Sequence, residues 1–247
     1  MRVGPVGPGP SSSSFAKGLL VSAVVFQRLS EIKPEPVRWL WEGRIPLGKV
    51  TILQGEPGVG KSTLTFDLAA RVSRGSDMPM VRGHDPAVPG NVVIFCGGDE
   101  LADTVRPRLD AANADLGRIY AVDSEITCEN VAPLQPVLII IDPFSDYIGL
   151  NADRNPIEVM RKLGHLAKIT GAAVLATQCI ADSQDDLARE FYGTPRSIMV
   201  LTPVGQSGRR LAVTKSNLQH LPDIHPLVYY FDDEDGQVQI VNWSDGR

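Results

Sequence analysis

Val50-Thr-Ile-Leu-Gln-Gly-Glu-Pro-Gly-Val-Gly-Lys-Ser-Thr-Leu-Thr-Phe66 is the stretch that decides the fold of this chain. A run of β-branched and leucine residues leads into a glycine-rich loop, and an amphipathic stretch follows directly. The order of strand, G-x-x-x-x-G-K-[ST] and helix is that of a phosphate-binding loop, the Walker A motif. The stretch therefore predicts nucleotide binding where a buried strand meets a helix.

Each part of this loop has a physical role in holding phosphate. The glycines let backbone N–H groups point inward, and the start of the helix adds partial positive charge. We expect Lys61 to reach the β- and γ-phosphates of ATP, and the Ser62 hydroxyl to bind Mg²⁺. The predicted nucleotide-binding residues are Gly55, Glu56, Pro57, Gly58, Val59, Gly60, Lys61, Ser62 and Thr63.

A second stretch, Val137-Leu-Ile-Ile-Ile-Asp142, is typical of a parallel strand that is buried on both faces. Its last residue gives the Walker B arrangement, an acid at the carboxyl end of a strand that can hold Mg²⁺ directly or through water. Ser62 and Asp142 are therefore the predicted metal ligands. The alternative is a core strand that ends in a surface aspartate, which the upstream Walker A motif disfavours.

The composition of the 247 residues, 43% hydrophobic and 21% charged, fits one large α/β domain. A net charge of −5 argues against a protein whose whole surface binds nucleic acid, but it allows a local basic loop. Three widely spaced cysteines without a C-x-x-C pair predict reduced thiols and a cytoplasmic location. The apolar run at 18–26 is too short to span a bilayer, so we expect no membrane segment.

The order of predicted elements indicates a parallel sheet with an antiparallel extension. We expect a flexible low-complexity tail over residues 1–16 and a single domain over 17–247. Strands are predicted at 50–53, 91–96, 118–122, 137–142, 172–177, 197–202, 210–216, 228–232 and 237–243. Turns at 205–208 and 233–236 predict hairpins within the extension.

Three helices are predicted from periodicity and from their end signals. The first follows the P-loop and ends at Gly75, and the third covers 156–170. The second covers 101–112, with Asp99 as its N-cap and a kink at Pro107. Trp39 and Trp41 precede the P-loop, where they either stack on adenine or pin the N-terminal segment onto the core.

With both motifs placed, the chain resembles a RecA-like P-loop ATPase, an AAA-type ATPase of the hexameric helicase branch that includes plasmid RepA-type and DnaB-like replicative helicases. The resemblance covers roughly residues 32–245 and is carried by 35–41, 44–48, 55–63, 102–109, 141–145, 170–175, 195–197 and 215–218. It implies a RecA-like core and a hexameric ring of identical subunits with ATP between neighbours. It also implies Mg²⁺ as the cofactor and single-stranded DNA as a partner.

The resemblance also implies roles for three residues after the Walker B strand. Arg196 and Lys215 match cations that can reach a neighbouring subunit's γ-phosphate, as arginine fingers do. A surface cation or a local ion pair is the alternative for each. Gln178 stands at the sensor position, where the family often has histidine, and a glutamine can still hydrogen-bond a γ-phosphate.

The chain departs from the family at the end of the second strand of the core. Family members usually carry Ser-Ala-Glu-Asp there, whereas this chain has Cys96-Gly-Gly-Asp99, with Gly98 in place of the glutamate that orients the attacking water. Asp99 or Glu100 either replaces this glutamate or caps the following helix. The connection over 123–135 is also short for a crossover, so we expect its helix to be shortened or lost.

Two hypotheses for the function follow. The first is a Mg²⁺-dependent ATPase motor on DNA, similar to RepA-type helicases, with candidate catalytic residues Lys61, Asp99, Glu100, Gln178, Arg196 and Lys215. Its candidate DNA-contacting regions are the 180–194 loop and the 206–210 turn, with Arg209 and Arg210. The second is a nucleotide-binding regulatory or scaffold protein with weak or no hydrolysis, because of Gly98. A small-molecule kinase fits poorly, since the chain ends in strands and offers no acceptor lid.

Overall fold

A computed structural model of the chain describes residues 26–79, 88–150, 155–180, 193–219, 221, 224–232 and 240–244. The chain forms two compact units, Met1–Pro36 and Val37–Arg247. The described part of the first unit contains a 3₁₀ turn at Leu29–Glu31. The predicted tail over 1–16 and the predicted start of the domain at residue 17 lie outside the described residues.

Within the described residues, the second unit is built on a nine-stranded sheet and a small two-stranded ribbon. The ribbon pairs β1 (Trp39–Trp41) with β2 (Ile45–Pro46). The strands of the sheet are β3 (Val50–Gly55), β4 (Asn91–Cys96), β5 (Ile119–Val122), β6 (Pro136–Asp142), β7 (Ala173–Cys179), β8 (Ser197–Val204), β9 (Gly208–Ser216), β10 (Leu227–Asp232) and β11 (Ile240–Trp243). Their order across the sheet is β11-β10-β9-β8-β3-β7-β6-β4-β5.

The sheet is parallel from β8 to β5 and antiparallel from β8 to β11. This is the mostly parallel α/β architecture with antiparallel C-terminal strands that the sequence predicts. The hairpin predicted at 205–208 joins β8 to β9. The turn predicted at 233–236 lies outside the described residues, although β10 and β11 pair in the expected antiparallel direction.

Helices cover both faces of the sheet. They are α1 (Lys61–Arg74), α2 (Arg106–Ala111), α3 (Cys128–Val131), α4 (Phe144–Gly149) and α5 (Pro156–Thr170). Successive side chains of a strand point to opposite faces of the sheet, so alternate residues of β6 pack into two different cores. Leu138 and Ile140 pack in the core that contains α1, whereas Ile139 and Ile141 pack in the core that contains α5. The prediction that this strand is buried on both faces is confirmed.

The second predicted helix differs from expectation at its start. A π-helical turn covers Leu101–Val105, and α2 begins only at Arg106 with Pro107 in its first turn, where a missing N–H costs little. The predicted N-cap at Asp99 is wrong, because Glu100 takes the cap position without a side-chain bond. The Asp99 carboxylate instead lies 3.7 Å from the Arg108 guanidinium.

The connection between β5 and β6 contains the four-residue α3 and a 3₁₀ turn at Ala132–Leu134, so the prediction of a shortened crossover helix is confirmed. A capping box between Thr127 and Asn130 stabilises the short α3. Within the described ranges, no helix is both long and apolar enough to cross a membrane.

The position of Trp41 decides between stacking on adenine and pinning the N-terminal segment onto the core. Its side chain is fully buried, its ring packs edge-on against Trp243 with 5.5 Å between centroids, and its Nε1 donates to the Pro79 carbonyl at 3.1 Å. A buried indole with its polar atom satisfied is a packing residue. Trp41 therefore anchors the segment before β3 onto the core.

Candidate nucleotide-binding site

The P-loop joins β3 to α1 at the carboxyl edge of the parallel sheet. Gly55 at the end of β3 pairs with Cys179 of β7, and Cys96 of β4 pairs with Asp142 of β6. Although β7 separates the two motif strands, their ends lie along one edge. The fold thus brings the Walker A and Walker B residues to the same side of the molecule.

Lys61 places its ammonium group inside the P-loop. The side chain is buried, with 8% exposed, and Nζ donates to the carbonyls of Gly55 at 3.0 Å and Glu56 at 2.9 Å. A buried cation needs such partners, because desolvation without them is costly. Lys61 also opens the 14-residue α1, whose dipole adds positive charge at the same place. This arrangement fits a polyphosphate such as that of ATP.

Asp142 is held by two threonines from different elements. Thr65 of α1 donates to its Oδ2 at 3.1 Å, and Thr177 of β7 donates to its Oδ1. The Thr65 hydroxyl is also 2.9 Å from the Ser62 carbonyl, which ties the start of α1 to the Walker B aspartate. Carboxylate and hydroxyl oxygens are the ligands that Mg²⁺ prefers, so Ser62 and Asp142 fit this ion.

Thr65 and Thr177 were not among the site residues predicted from the sequence. Thr65 follows Ser62 by three residues, so helical spacing alone puts both on one face of α1. Thr177 directly precedes the predicted sensor residue Gln178 on β7, and a hydroxyl at the carboxyl end of that strand is a further signal. Together they fix the orientation of the Asp142 carboxylate.

The C-terminal strands brace the P-loop. Arg209 of β9 donates from Nε to the Val59 carbonyl at 2.8 Å, and its guanidinium lies 4.8 Å from the centroid of the Phe231 ring. The Phe231 ring occupies the space where a side chain on Gly60 would project. Arg209, a predicted DNA contact, is thus half-buried against the P-loop, whereas Arg210 is exposed. The other predicted DNA-contacting region, 180–194, lies mostly outside the described residues.

Replacing Gly60 by alanine should destabilise the protein by about 2–4 kcal/mol, because a left-handed backbone and the Phe231 ring both oppose a Cβ there. Gly60 has a φ of 96°, in the left-handed region. Urea unfolding measures the loss. Gly58→Ala is the matched control, since Gly58 is also left-handed, with a φ of 73°, but has open space around it. Equal losses in the two variants would contradict the packing of Phe231 against Gly60.

The remaining candidate residues lie at opposite ends of the parallel strands, some at the carboxyl ends with the P-loop and others at the amino ends. Gln178 lies at the P-loop edge, where its Oε1 accepts a hydrogen bond from Gln54 Nε2 at 3.0 Å. Asp99 and Glu100 are exposed just beyond the end of β4 at that edge. The fold therefore brings Gln178, Asp99 and Glu100 to the same edge as Lys61.

Arg196 and Lys215 lie at the other side of the sheet, where the parallel strands begin. The Arg196 N–H donates to the carbonyl of Val50, the first residue of β3, and Lys215 Nζ donates to the Pro195 carbonyl at 3.2 Å. Burial lowers the pKa of Lys215, and the nearby charge of Arg196 lowers it further. At the usual rise per residue, β3 puts about 17 Å between these cations and the P-loop of the same chain. Both cations are therefore far from the P-loop of their own chain.

Cys96 lies beside the Walker B aspartate. Burial raises the pKa of its thiol to about 12, and the charges of Asp142 and Asp99 add to this effect. With this pKa, only about one Cys96 side chain in a thousand is a thiolate at pH 9. Since the thiolate is the reactive form of cysteine, Cys96 should react slowly.

Iodoacetamide should therefore modify the exposed Cys179 at least about tenfold faster than Cys96 at pH 8. Peptide mass spectrometry over a time course measures both rates, and the Cys96 rate should stay low up to pH 9. Modification of Cys96 as fast as that of Cys179 would contradict this environment.

The comparisons with known proteins agree with this geometry. The AAA domain family model matches residues 16–178. The DNA repair protein RadA of Mycolicibacterium smegmatis is 24% identical over 185 residues, which is 74% of this chain and 33% of that protein. RadA of Mycobacterium tuberculosis (strain H37Rv) is 30% identical over 141 residues, 55% of this chain and 26% of that protein. RadA of Chlamydia pneumoniae is 23% identical over 176 residues, covering 68% and 36%. The chain thus spans about a third of the length of these relatives.

Proposed function

The chain belongs to the AAA domain family, as a RecA-like nucleotide-binding ATPase, and from this premise we propose that it is a Mg²⁺-dependent ATPase motor that acts on DNA. One observation carries the proposal: Lys61 lies inside the P-loop, and Asp142 lies at the same edge of the sheet, oriented by Thr65 and Thr177. These are the parts needed to hold a nucleoside triphosphate and a divalent cation.

Each residue of the site has a separate role in the proposed hydrolysis of ATP. Lys61 supplies fixed positive charge where negative charge develops on the transferred phosphoryl group. Ser62 and Asp142 would hold Mg²⁺, which neutralises phosphate charge when it is bound. Thr65 and Thr177 keep the carboxylate of Asp142 in one orientation, so that it does not have to reorganise during the reaction. Gln178 contributes an amide at the same edge.

DNA is the proposed partner because the RadA relatives are named as DNA repair proteins. More specifically, we propose a ring of identical subunits, similar to that of RepA-type helicases, in which ATP lies between neighbours. The position of Arg196 and Lys215 is compatible with this arrangement, since both lie far from the P-loop of their own chain and would have to act on the site of a neighbour.

A second candidate function is a nucleotide-dependent regulatory or scaffold protein that hydrolyses ATP weakly or not at all. Gly98 favours it, because the position that carries the water-orienting glutamate in similar proteins has no side chain. Such a protein would use bound ATP to control assembly, with the same contacts from Lys61 and Asp142.

Phosphate release by the full chain, with Mg²⁺ and ATP and with or without single-stranded DNA, separates the two functions. The motor requires turnover above background that DNA stimulates. Turnover at background, unchanged by DNA, contradicts the motor and favours the regulatory protein.

The mass of the protein in solution, with and without ATP and Mg²⁺, tests the ring. An oligomer is expected when ATP and Mg²⁺ are present. A monomer under every condition would exclude both the ring and the contribution of Arg196 and Lys215 to a neighbour's site.

A further inference from the structure

Two glycines, Gly97 and Gly98, form the turn that follows β4 at the P-loop edge. The Gly97 N–H donates to the carbonyl of Asp142 at 3.0 Å, which ties this turn to the end of the Walker B strand. Gly98 has a φ of 78°, a left-handed conformation that residues with side chains rarely adopt. The turn therefore lacks the glutamate of the helicases that the chain resembles, and its backbone conformation at Gly98 disfavours a side chain there.

Asp146, in the first turn of α4, occupies the space beside these glycines. A Cβ added to Gly97 would lie 2.5 Å from the Asp146 Cβ and 2.9 Å from its Oδ2, so Asp146 excludes any side chain at position 97. A Cβ added to Gly98 would lie 3.8 Å from the same Oδ2. A glutamate carboxylate is two carbons beyond its Cβ, so Asp146 Oδ2 lies within the region that a glutamate on position 98 would reach.

The helix that carries Asp146 is fixed in place next to this turn. Tyr147 is buried, and its ring packs edge-on against Phe95 of β4 with 5.1 Å between centroids. The Ser145 hydroxyl donates to Asp146 Oδ1 at 3.0 Å, whereas Oδ2 is the oxygen nearest the two glycines. The Asp146 side chain is exposed, so water has access to it.

The two acids that follow Gly98 belong to the start of the next helix. The Asp99 carboxylate lies 3.7 Å from Arg108. Glu100 takes the cap position through its backbone carbonyl, which accepts hydrogen bonds from the N–H groups of Thr104 and Val105, while its exposed side chain makes no cap bond. Asp146 lies instead directly beside the Gly97–Gly98 turn, on α4, four residues after the Walker B aspartate.

We propose that Asp146 is the catalytic carboxylate of this ATPase, in place of the glutamate missing at Gly98. This role rests on the proposed ATPase function. Asp146 Oδ2 accepts a proton from the attacking water as the water oxygen bonds to the γ-phosphorus. The bond from that phosphorus to the β–γ bridging oxygen breaks, ADP leaves with the electron pair, and the carboxyl proton passes to solvent.

Asp146→Asn should lower the turnover number for ATP about 100-fold, because the amide cannot accept the proton. Affinity for a non-hydrolysable ATP analogue should stay within about twofold, since the ground state does not use this group. Binding of ADP with Mg²⁺ and aluminium fluoride, a mimic of the transition state, should weaken at least about tenfold. Asp146→Glu, which keeps the carboxylate, should retain more turnover than Asp146→Asn.

Asp103→Asn is the matched control, because it removes an exposed carboxylate from the neighbouring helical turn and should leave all three measurements unchanged. If the wild type hydrolyses ATP and Asp146→Asn does so equally well, the role of Asp146 is overturned and the proposed function stands. If the wild type itself shows no turnover above background, the motor and the role of Asp146 are both overturned.

Discussion

Lys61→Ala is expected to lower ATP turnover about 1,000-fold and to weaken ATP binding at least about tenfold. The ammonium group is buried in the P-loop and held by two backbone carbonyls, so its charge is fixed before a phosphate arrives. A preorganised charge contributes most where negative charge develops, and removing one such group costs about 10²–10³ in rate. The loss of ground-state attraction adds to this cost. Phosphate release and nucleotide titration measure the two effects separately.

Lys168→Ala is the charge-matched control for this variant. Lys168 is an exposed cation in the last turn of α5, where its loss costs only a few tenths of a kcal/mol. Its turnover should match that of the wild type. A Lys61→Ala protein that bound and hydrolysed ATP normally would show that the P-loop lysine does not contact the nucleotide.

Asp142→Asn is expected to lower turnover by a similar factor, about 1,000-fold, and to remove most of its dependence on Mg²⁺. Asparagine keeps the shape of the side chain but removes the charge that holds the ion. It also places an amide donor beside the hydroxyls of Thr65 and Thr177, which now donate to the carboxylate. Phosphate release measured over a range of Mg²⁺ concentrations tests this expectation.

Thr177→Val provides a graded comparison, since it keeps the Asp142 charge but removes one hydrogen bond that orients it. Its loss of turnover should be clearly smaller than that of Asp142→Asn. Asp110→Asn, which removes an exposed carboxylate paired with Arg106, should have no effect. An Asp142→Asn protein with the wild-type response to Mg²⁺ would contradict the Walker B assignment.

The features predicted best from the sequence are those with local signals. The strand that leads into the P-loop, the Walker B strand and the helix at Pro156–Thr170 all follow from residue periodicity and from glycine and proline positions. The shortened crossover at 123–135 followed from the length of that connection and from Pro133 within it. In each case the information lies within about twenty residues of sequence.

The features that the sequence did not predict depend on contacts between distant parts of the chain. Asp146 lies beside Gly97 because α4 packs against β4, and no local pattern indicates that contact. The contact of Arg209 with Val59 spans 150 residues for the same reason. The N-cap at Asp99 was wrong because a π-helical turn begins at Leu101 and puts Glu100 at the cap position, and no local pattern in the sequence indicates this irregular start.

The most direct test of the central claim, a P-loop and Walker B site for ATP with Mg²⁺, is calorimetric titration of ATP into the full chain. In the presence of Mg²⁺ we predict saturable binding of one ATP per chain. With EDTA, which removes Mg²⁺, affinity should fall at least about tenfold. Absence of saturable binding, or binding of equal strength in Mg²⁺ and EDTA, would contradict the account.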